Sequence, residues 1–284
     1  MDRILPATFG RRSPFGKAMF VGKMLTIIPV LMFGNLVHVV WAKIFPSRAR
    51  NGKLQKISQI LHVVEGYGPV PLKCRMFVFR NPQKKLALVS PIRPEPATVD
   101  EVRALGEVEV IITPSLIHDT YAPEWSQLFP GAKVAAPASI KDQLSETFGK
   151  KQPPTKVTHS QEEALASFPG VTLHAPPTGA VSTGEQFYEI LNDDGSRTLA
   201  TIDLQENCSS HHMWFPFVAG AYGHCTTRMF KLIFVDDPAK LREFILNVIC
   251  KIPRVNRLVF THGEILEGED VSSRMASAAV SDLR

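Results

Sequence analysis

The stretch Val108–Trp125, which reads VEVIITPSLIHDTYAPEW, is the part of the chain from which the rest can be interpreted. It opens with an apolar run rich in β-branched residues, Val108–Ile112, and such a run is typical of a buried strand. A Thr-Pro-Ser sequence ends the strand, and His118 and Asp119 follow in the loop. Folds of the α/β type commonly place their chemistry just beyond the carboxyl end of a buried strand. His118 and Asp119 are therefore the first functional candidates.

Outward from this stretch, the sequence predicts hairpins early in the chain and interleaved helices later. Short apolar or alternating runs predict the strands, and 3.6-residue periodicity predicts the helices. This order is not the strict βαβα alternation of a doubly wound fold, whereas a four-layer αββα sandwich of the mixed α/β (α+β) class accommodates it. The predicted strands are Ile60–Glu65, Arg75–Arg80, Lys85–Val89, Val108–Ile112, Lys133–Ala136, Val171–His174, Gln186–Leu191, Thr198–Ile202 and Arg257–Phe260, and the main predicted helices are Thr98–Leu105 (with Thr98 as N-cap), 139–148, Pro238–Lys251 and Val271–Val280.

The charge of the chain is divided unevenly along its length. Residues 1–64 hold ten of the 32 basic residues and one of the 27 acidic residues, so the remainder carries 22 basic and 26 acidic side chains. A nucleic-acid-binding protein would carry its positive charge on the folded domain. The sequence therefore predicts no nucleic-acid partner. It gives no indication of the oligomeric state. It predicts a basic N-terminal arm, residues 1–56, followed by one folded domain, residues 57–284.

A long uncharged segment lies within the basic arm. The nineteen residues between Lys23 and Lys43 carry no formal charge when histidine is neutral, and about twenty apolar residues are what a bilayer core requires. This pattern predicts an N-terminal apolar helix at about residues 24–42 that anchors the protein to a membrane in a single pass. The open alternatives are a mitochondrial or plastid targeting peptide, an amphipathic surface helix and a buried core helix.

The four cysteines are widely spaced and form no C-x-x-C pair. This spacing argues against a structural zinc module and against a disulfide framework, and favours buried free thiols. Cys225 directly follows His224, but adjacent side chains rarely point at each other, so the pair is a weak signal for a Cys–His dyad.

Three predicted strands end in side chains that could bind a metal ion. His118 and Asp119 follow the first of these strands, Asp203 follows the second, and His262 follows the third. Imidazole nitrogen and carboxylate oxygen are ligands for zinc and other divalent ions, and a catalytic site leaves one position open. The alternative is that each residue is structural, as a hydrogen-bonded histidine or as an aspartate that caps a turn.

A scattered set of residues between roughly positions 58 and 265 carries a family resemblance. The set comprises Arg75-Met76, Ser90-Pro91-Ile92, Leu105-Gly106-Glu107-Val108, His118, Glu124-Trp125 and Phe129-Pro130-Gly131-Ala132-Lys133. On these residues the chain resembles the metallo-β-lactamase fold, and within it a divergent branch known as the DUF4336 family. The resemblance implies a four-layer αββα metallo-β-lactamase-like sandwich, preceded here by the apolar N-terminal segment.

The metal-binding motif of that fold is only partly present. In active members the corresponding strand ends in T-H-x-H-x-D-H, which binds two metal ions. Here Thr113 matches, but Pro114 and Leu116 stand at the first two histidine positions, and His118 and Asp119 occupy the Asp and His positions in swapped order. The resemblance therefore implies that a complete dinuclear site has been lost.

A site for one metal ion remains compatible with the resemblance. Asp203 resembles the bridging aspartate of the fold, and His262, in the sequence Thr-His-Gly, resembles its last histidine ligand. The implied site holds one divalent ion, most readily zinc, through His118, Asp203 and His262, with Asp119 as the catalytic general base. The histidines that could stand in for an intermediate ligand are His159, His174 and His211.

Two functions of different classes follow from this partial motif. The first is a mononuclear metal-dependent hydrolase that acts on a small ester, thioester or similar substrate. The second is a catalytically inactive binding or structural module, without metal, that is anchored to a membrane. The sequence contains no G-x-x-x-x-G-K loop and no G-x-S-x-G elbow, so it predicts neither a nucleotide cofactor nor an α/β-hydrolase serine.

Overall fold

The computed structural model describes residues 50–67, 73–149, 155–208, 220 and 222–284. The predicted apolar helix at 24–42 lies outside these residues and stays a prediction. Among the described helices, none is both long and apolar enough to cross a bilayer. Some residues before position 57 take part in the fold, because the Gly52 amide donates to the Glu65 carbonyl and Gln55–Lys56 pairs with the strand that follows.

Seven strands that are consecutive in the chain form the first sheet. They are β1 (Gln55–Lys56), β2 (Leu61–Tyr67), β3 (Lys73–Arg80), β4 (Lys85–Val89), β5 (Glu107–Ile112), β6 (Lys133–Ala136) and β7 (His159–Ser160). Pairing is antiparallel from β1 to β4 and parallel from β4 to β7. Because β4 and β5 are parallel, the residues that follow them, including Ser90 and His118, leave the sheet at the same edge.

The second sheet has five strands in the order β14-β13-β10-β9-β8. Its strands are β8 (Val171–His174), β9 (Phe187–Leu191), β10 (Arg197–Thr201), β13 (Val255–Phe260) and β14 (Leu266–Glu267). β10 runs parallel to β13, with Thr201 opposite Phe260. Asp203 and His262, each two residues beyond its strand, therefore emerge side by side. A separate ribbon of β11 (Glu206–Cys208) and β12 (Gly223–Cys225) lies beyond Asp203.

Except for a four-residue helix at Gln161–Ala164, whose Ala164 belongs to the apolar layer between the sheets, the helices of the described chain cover the outer faces of the two sheets. The helices are α1 (Pro96–Leu105), α2 (Ala122–Leu128), α3 (Lys141–Gly149), α4 (Gln161–Ala164), α5 (Arg228–Phe234), α6 (Pro238–Asn247) and α7 (Val271–Asp282), with short 3-10 turns at Leu165–Ser167 and Ile249–Lys251. One apolar layer joins α1, α2 and α3 to the first sheet, and another joins α5, α6 and α7 to the second. A third layer lies between the sheets. The described chain is thus a helix–sheet–sheet–helix sandwich, as predicted.

The strands at the centre of the first sheet are apolar on both faces because both faces are covered. On β4, Leu86 and Leu88 belong to the helix-facing layer, whereas Ala87 and Val89 belong to the layer between the sheets. The helix layer is fixed in turn by Trp125 of α2, which is fully buried and donates from Nε1 to the Ile92 carbonyl at 2.7 Å. This contact ties the segment that leaves β4 to the helix that follows the loop containing His118.

Two helix boundaries differ from the sequence-based prediction. Helix α1 begins at Pro96 rather than after an N-cap at Thr98, because Thr98 is buried and its hydroxyl accepts a hydrogen bond from Asn51. Glu101, which would complete a capping box with an N-cap at Thr98, accepts from the Leu54 amide instead. The α-helix predicted at Pro238–Lys251 ends at Asn247 and is continued by a 3-10 turn. In both cases tertiary contacts override a local pattern.

Candidate metal centre

The structure brings His118, Asp203 and His262 together at the shared edge of the two sheets. One ligand atom from each lies within 4.8 Å of the other two. His118 Nε2 is 3.1 Å from Asp203 Oδ2, and His262 Nε2 is 3.4 Å from Asp203 Oδ1. The carboxylate of Asp203 therefore lies between two imidazoles. Of the described residues, these three are the only group of His, Cys, Asp or Glu side chains with this geometry.

The three side chains are almost completely removed from solvent. The exposed fractions are 10% for the His118 side chain, 8% for Asp203 and 5% for His262. Burial raises the pKa of the Asp203 carboxyl, but the charge of His118 when protonated, the hydrogen bond from His118 and the charge of His262 when protonated together lower that pKa by more, so it lies below its ordinary value. Asp203 is thus an ionised carboxylate in a buried position, which is the form that binds cations.

The Nδ1 atom of each imidazole contacts a residue at the end of a strand of the first sheet, Ser90 directly after β4 and Lys73 at the start of β3. His118 Nδ1 is 2.8 Å from Ser90 Oγ, and His262 Nδ1 is 2.7 Å from the Lys73 carbonyl oxygen. A carbonyl oxygen only accepts hydrogen bonds, so the proton of His262 lies on Nδ1. A neutral His262 consequently turns the lone pair of Nε2 toward Asp203. This orientation suits a metal ligand whose other ring nitrogen is engaged.

The loop that carries His262 is fixed from both sides. Arg75 of β3 is 4% exposed, and its Nη1 donates to the carbonyls of Phe260 at 2.5 Å and of Gly263 at 3.0 Å. On the other side, the Asn207 amide donates to the His262 carbonyl at 3.3 Å. Both sheets and the β11–β12 ribbon therefore hold the same short loop, and His262 has little freedom to move.

A second buried carboxyl group supports the backbone of Asp203. Glu185 is 1% exposed, and its Oε2 accepts the Asp203 amide hydrogen at 2.8 Å. Burial raises the pKa of Glu185 well above its ordinary value, and the Asp203 charge raises it further. No strong sequence pattern marks Glu185, which precedes β9 by two residues.

Glu206, three residues after Asp203, gives a testable pH dependence. Burial, and then the charge of Asp203, raise the pKa of Glu206 well above its ordinary value of 4.5. The folded protein therefore keeps a proton on Glu206 that the unfolded chain has lost, so the free energy of unfolding falls as pH rises from 4.5 toward the folded-state pKa. We expect the stability of Glu206→Gln relative to the parent protein to be higher at neutral pH than near pH 4.5. Urea unfolding of both proteins at the two pH values measures this difference. The exposed Glu269→Gln is the control, and an equal pH response in both variants would contradict the argument.

Asp119, the predicted catalytic base, directly follows His118 and is 9% exposed. It is not one of the three side chains whose ligand atoms converge. Its catalytic role stays a prediction.

The other sequence candidates fall elsewhere. His174 pairs with Glu189 at 2.8 Å on the second sheet, and His159 lies beside Thr158, so neither joins the converging group. His211 lies outside the described residues. The His224–Cys225 pair is not an activated dyad, because burial raises the pKa of Cys225 to about 12 and lowers the pKa of His224 to about 4.

Comparisons with known proteins agree with the architecture. No protein-family model and no curated protein matches the chain. Among solved structures, the metallo-β-lactamase FIM-1 from Pseudomonas aeruginosa, in its mono-zinc form, has a TM-score of 0.56 at 11% identity over 81% of this chain and 95% of that one. TMB-1 has a TM-score of 0.54 at 15% identity over 81% of this chain and 97% of that one. VMB-1 has a TM-score of 0.53 at 11% identity over 82% of this chain and 98% of that one. The described chain therefore has the metallo-β-lactamase fold.

Proposed function

We propose that this protein is a metal-dependent hydrolase that binds one divalent ion, most readily zinc, through His118, Asp203 and His262. The observation that carries the proposal is the state of Asp203 Oδ1. This oxygen is buried and, in the described part of the chain, has no hydrogen-bond partner, although it lies 3.4 Å from His262 Nε2. A lone pair and an unpartnered buried carboxylate oxygen repel each other unless a proton or a metal cation lies between them. A donor set of two imidazoles and one carboxylate suits zinc, and it leaves a fourth position for water or substrate.

The residues around the site have separate parts in the proposed reaction. A divalent ion held by three protein ligands, with a fourth position for water or substrate, would supply Lewis acidity and lower the pKa of that water. Asp203 supplies negative charge, and the Lys73 carbonyl and Ser90 hydroxyl orient the two imidazoles. Asp119, as the neighbour of His118, is proposed to accept a proton from the attacking water. The proposed substrate is a small ester or thioester, and the proposed affiliation is with the divergent DUF4336 branch of the fold.

The test measures zinc and hydrolysis in the same set of variants. We expect the full chain to hold about one zinc per molecule, and His262→Ala to weaken zinc binding by more than about 100-fold, since even an outer-shell partner costs 10–100-fold. Asp119→Asn should keep its zinc and lose about 10²–10⁴-fold in turnover, the range of general-base catalysis. Element analysis, chelator competition and a generic ester or thioester assay provide the readouts.

The matched control is His174→Ala, which removes a half-buried histidine paired with a carboxylate away from the site. It should keep parental zinc affinity and turnover. A metal-free, inactive parent protein would refute the hydrolase proposal and favour the second candidate, a non-catalytic binding module that has kept the fold.

A further inference from the structure

The two imidazoles of the candidate metal centre are held by chemically different groups. His262 Nδ1 faces a carbonyl oxygen, which only accepts, whereas His118 Nδ1 faces the hydroxyl of Ser90, which both donates and accepts. The tautomer of His262 is therefore fixed by its partner. The tautomer of His118 is not fixed in this way.

For a neutral His118, the contact with Asp203 requires one tautomer in the absence of metal. At 3.1 Å, His118 Nε2 can donate its proton to Asp203 Oδ2, and Nδ1 must then accept the hydroxyl proton of Ser90. A cation bound at Nε2 requires the opposite arrangement, because the ligand lone pair must be on Nε2 and the proton on Nδ1. The hydroxyl of Ser90 satisfies both arrangements by rotating.

The backbone of Ser90 provides an independent observation. Its φ is 54°, a left-handed conformation that favours glycine, and the residue is 3% exposed. The other described non-glycine residues with positive φ, Lys84 and Arg254, are exposed. Strained backbone kept at a buried polar side chain is characteristic of functional positions.

We propose that Ser90 is a positioning residue whose hydroxyl reverses its hydrogen bond, so that His118 changes tautomer when a divalent cation binds. This inference rests on the proposed metal site. It assigns an asymmetry to that site, because His262 already presents the lone pair of Nε2 before a cation binds, whereas His118 presents its own only after changing tautomer.

Nitrogen NMR of ¹⁵N-histidine-labelled full chain tests the tautomers directly, with the His118 signals assigned by their loss in His118→Ala. The parent protein should show His118 protonated on Nε2 without metal and on Nδ1 after zinc is added. His262 should be protonated on Nδ1 in both states. A His118 proton that stays on Nδ1 in both states would overturn the proposal.

Variants of Ser90 test its contribution to affinity. By chelator competition, Ser90→Ala should bind zinc about 10–100-fold more weakly than the parent, the usual effect of removing the partner of a ligand histidine. Ser90→Gly should lose as much affinity yet melt no lower than Ser90→Ala, because glycine relieves the backbone strain. Lys84→Gly, at φ 59° in an exposed turn, relieves equal strain and should leave zinc affinity unchanged.

The outcomes separate this inference from the proposed function. A parent that binds no zinc would defeat the proposed function and this inference with it. A parent that binds zinc, with Ser90→Ala binding equally well, would defeat this inference alone. Labelling of Ser90 by a fluorophosphonate probe in the metal-free protein would assign it a nucleophilic role and overturn the positioning role.

Discussion

Gly263→Ala is expected to cost about 3 kcal/mol or more of folding stability and to abolish zinc binding, because the new side chain has no space. Gly263 has a φ of 100°, and a β-carbon there would lie 2.1 Å from the Asn207 carbonyl oxygen and 2.3 Å from its carbon. Both are backbone atoms of the β11–β12 ribbon, so no side-chain rotation relieves the contact. The loop must move, and His262 is the adjacent residue. Urea unfolding and chelator competition measure the two effects.

Gly106→Ala is the matched control for this substitution. A β-carbon at Gly106 would also lie 2.1 Å from a backbone oxygen, that of Lys84. Gly106 precedes β5, at the strand end away from His118, so its replacement should destabilise the fold without changing the zinc affinity of the folded protein. Parental zinc affinity in Gly263→Ala would show that the loop does not control His262.

Arg75→Lys is expected to produce the second large effect. The guanidinium holds two buried carbonyls and pairs with Glu65 Oε1 at 2.5 Å. Lysine keeps the charge but cannot reproduce this forked geometry. Each carbonyl left without a partner costs about 1–3 kcal/mol, so we expect a loss of about 2–5 kcal/mol in total. Because the carbonyls flank His262, zinc affinity should fall as well.

Arg257→Lys provides the comparison for Arg75→Lys. Arg257 also joins the two sheets, since its Nη1 donates to the Ile57 carbonyl at 3.3 Å and its Nε donates to Glu267 at 2.7 Å. Arg257 lies toward the other end of β13 and is partly exposed, so Arg257→Lys should lower the free energy of unfolding by less than about 1 kcal/mol. If the two variants had the same effect on zinc affinity, Arg75 would stabilise the packing of the two sheets without specifically positioning His262.

The residues that converge could be predicted because each follows a strand that is apolar in the sequence. His118, Asp203 and His262 each follow an apolar strand, and the strands before Asp203 and His262 are parallel neighbours in the second sheet. The strand ends bring Asp203 and His262 side by side, whereas the position of His118, six residues beyond β5, also depends on the loop that carries it. The αββα layering can also be predicted, because the sequence indicates β-hairpins early in the chain and helices that alternate with strands later in the chain.

The groups that hold these three residues could not be predicted in the same way. Arg75 contacts Phe260, which is 185 residues away in the sequence, and the contact depends on how the two sheets pack. The hydrogen bond of Ser90 depends on a positive φ that nothing in its residue type signals. The sequence does not predict helix α5, Arg228–Phe234, because its apolar residues occupy most of its surface and show little periodicity.

The two sheets differ in how far apart their neighbouring strands lie along the chain. In the first sheet each strand pairs with the next strand in sequence. In the second sheet β10 also pairs with β13, which comes much later in the chain. During synthesis the first sheet can therefore assemble while the chain that carries His262 has not yet been made. A metal ion that needs ligands from both sheets would bind only the finished molecule, and would stabilise it over every partly made or partly folded form. Metal binding would therefore depend on completion of both sheets, and an incomplete chain would not gain this stabilisation.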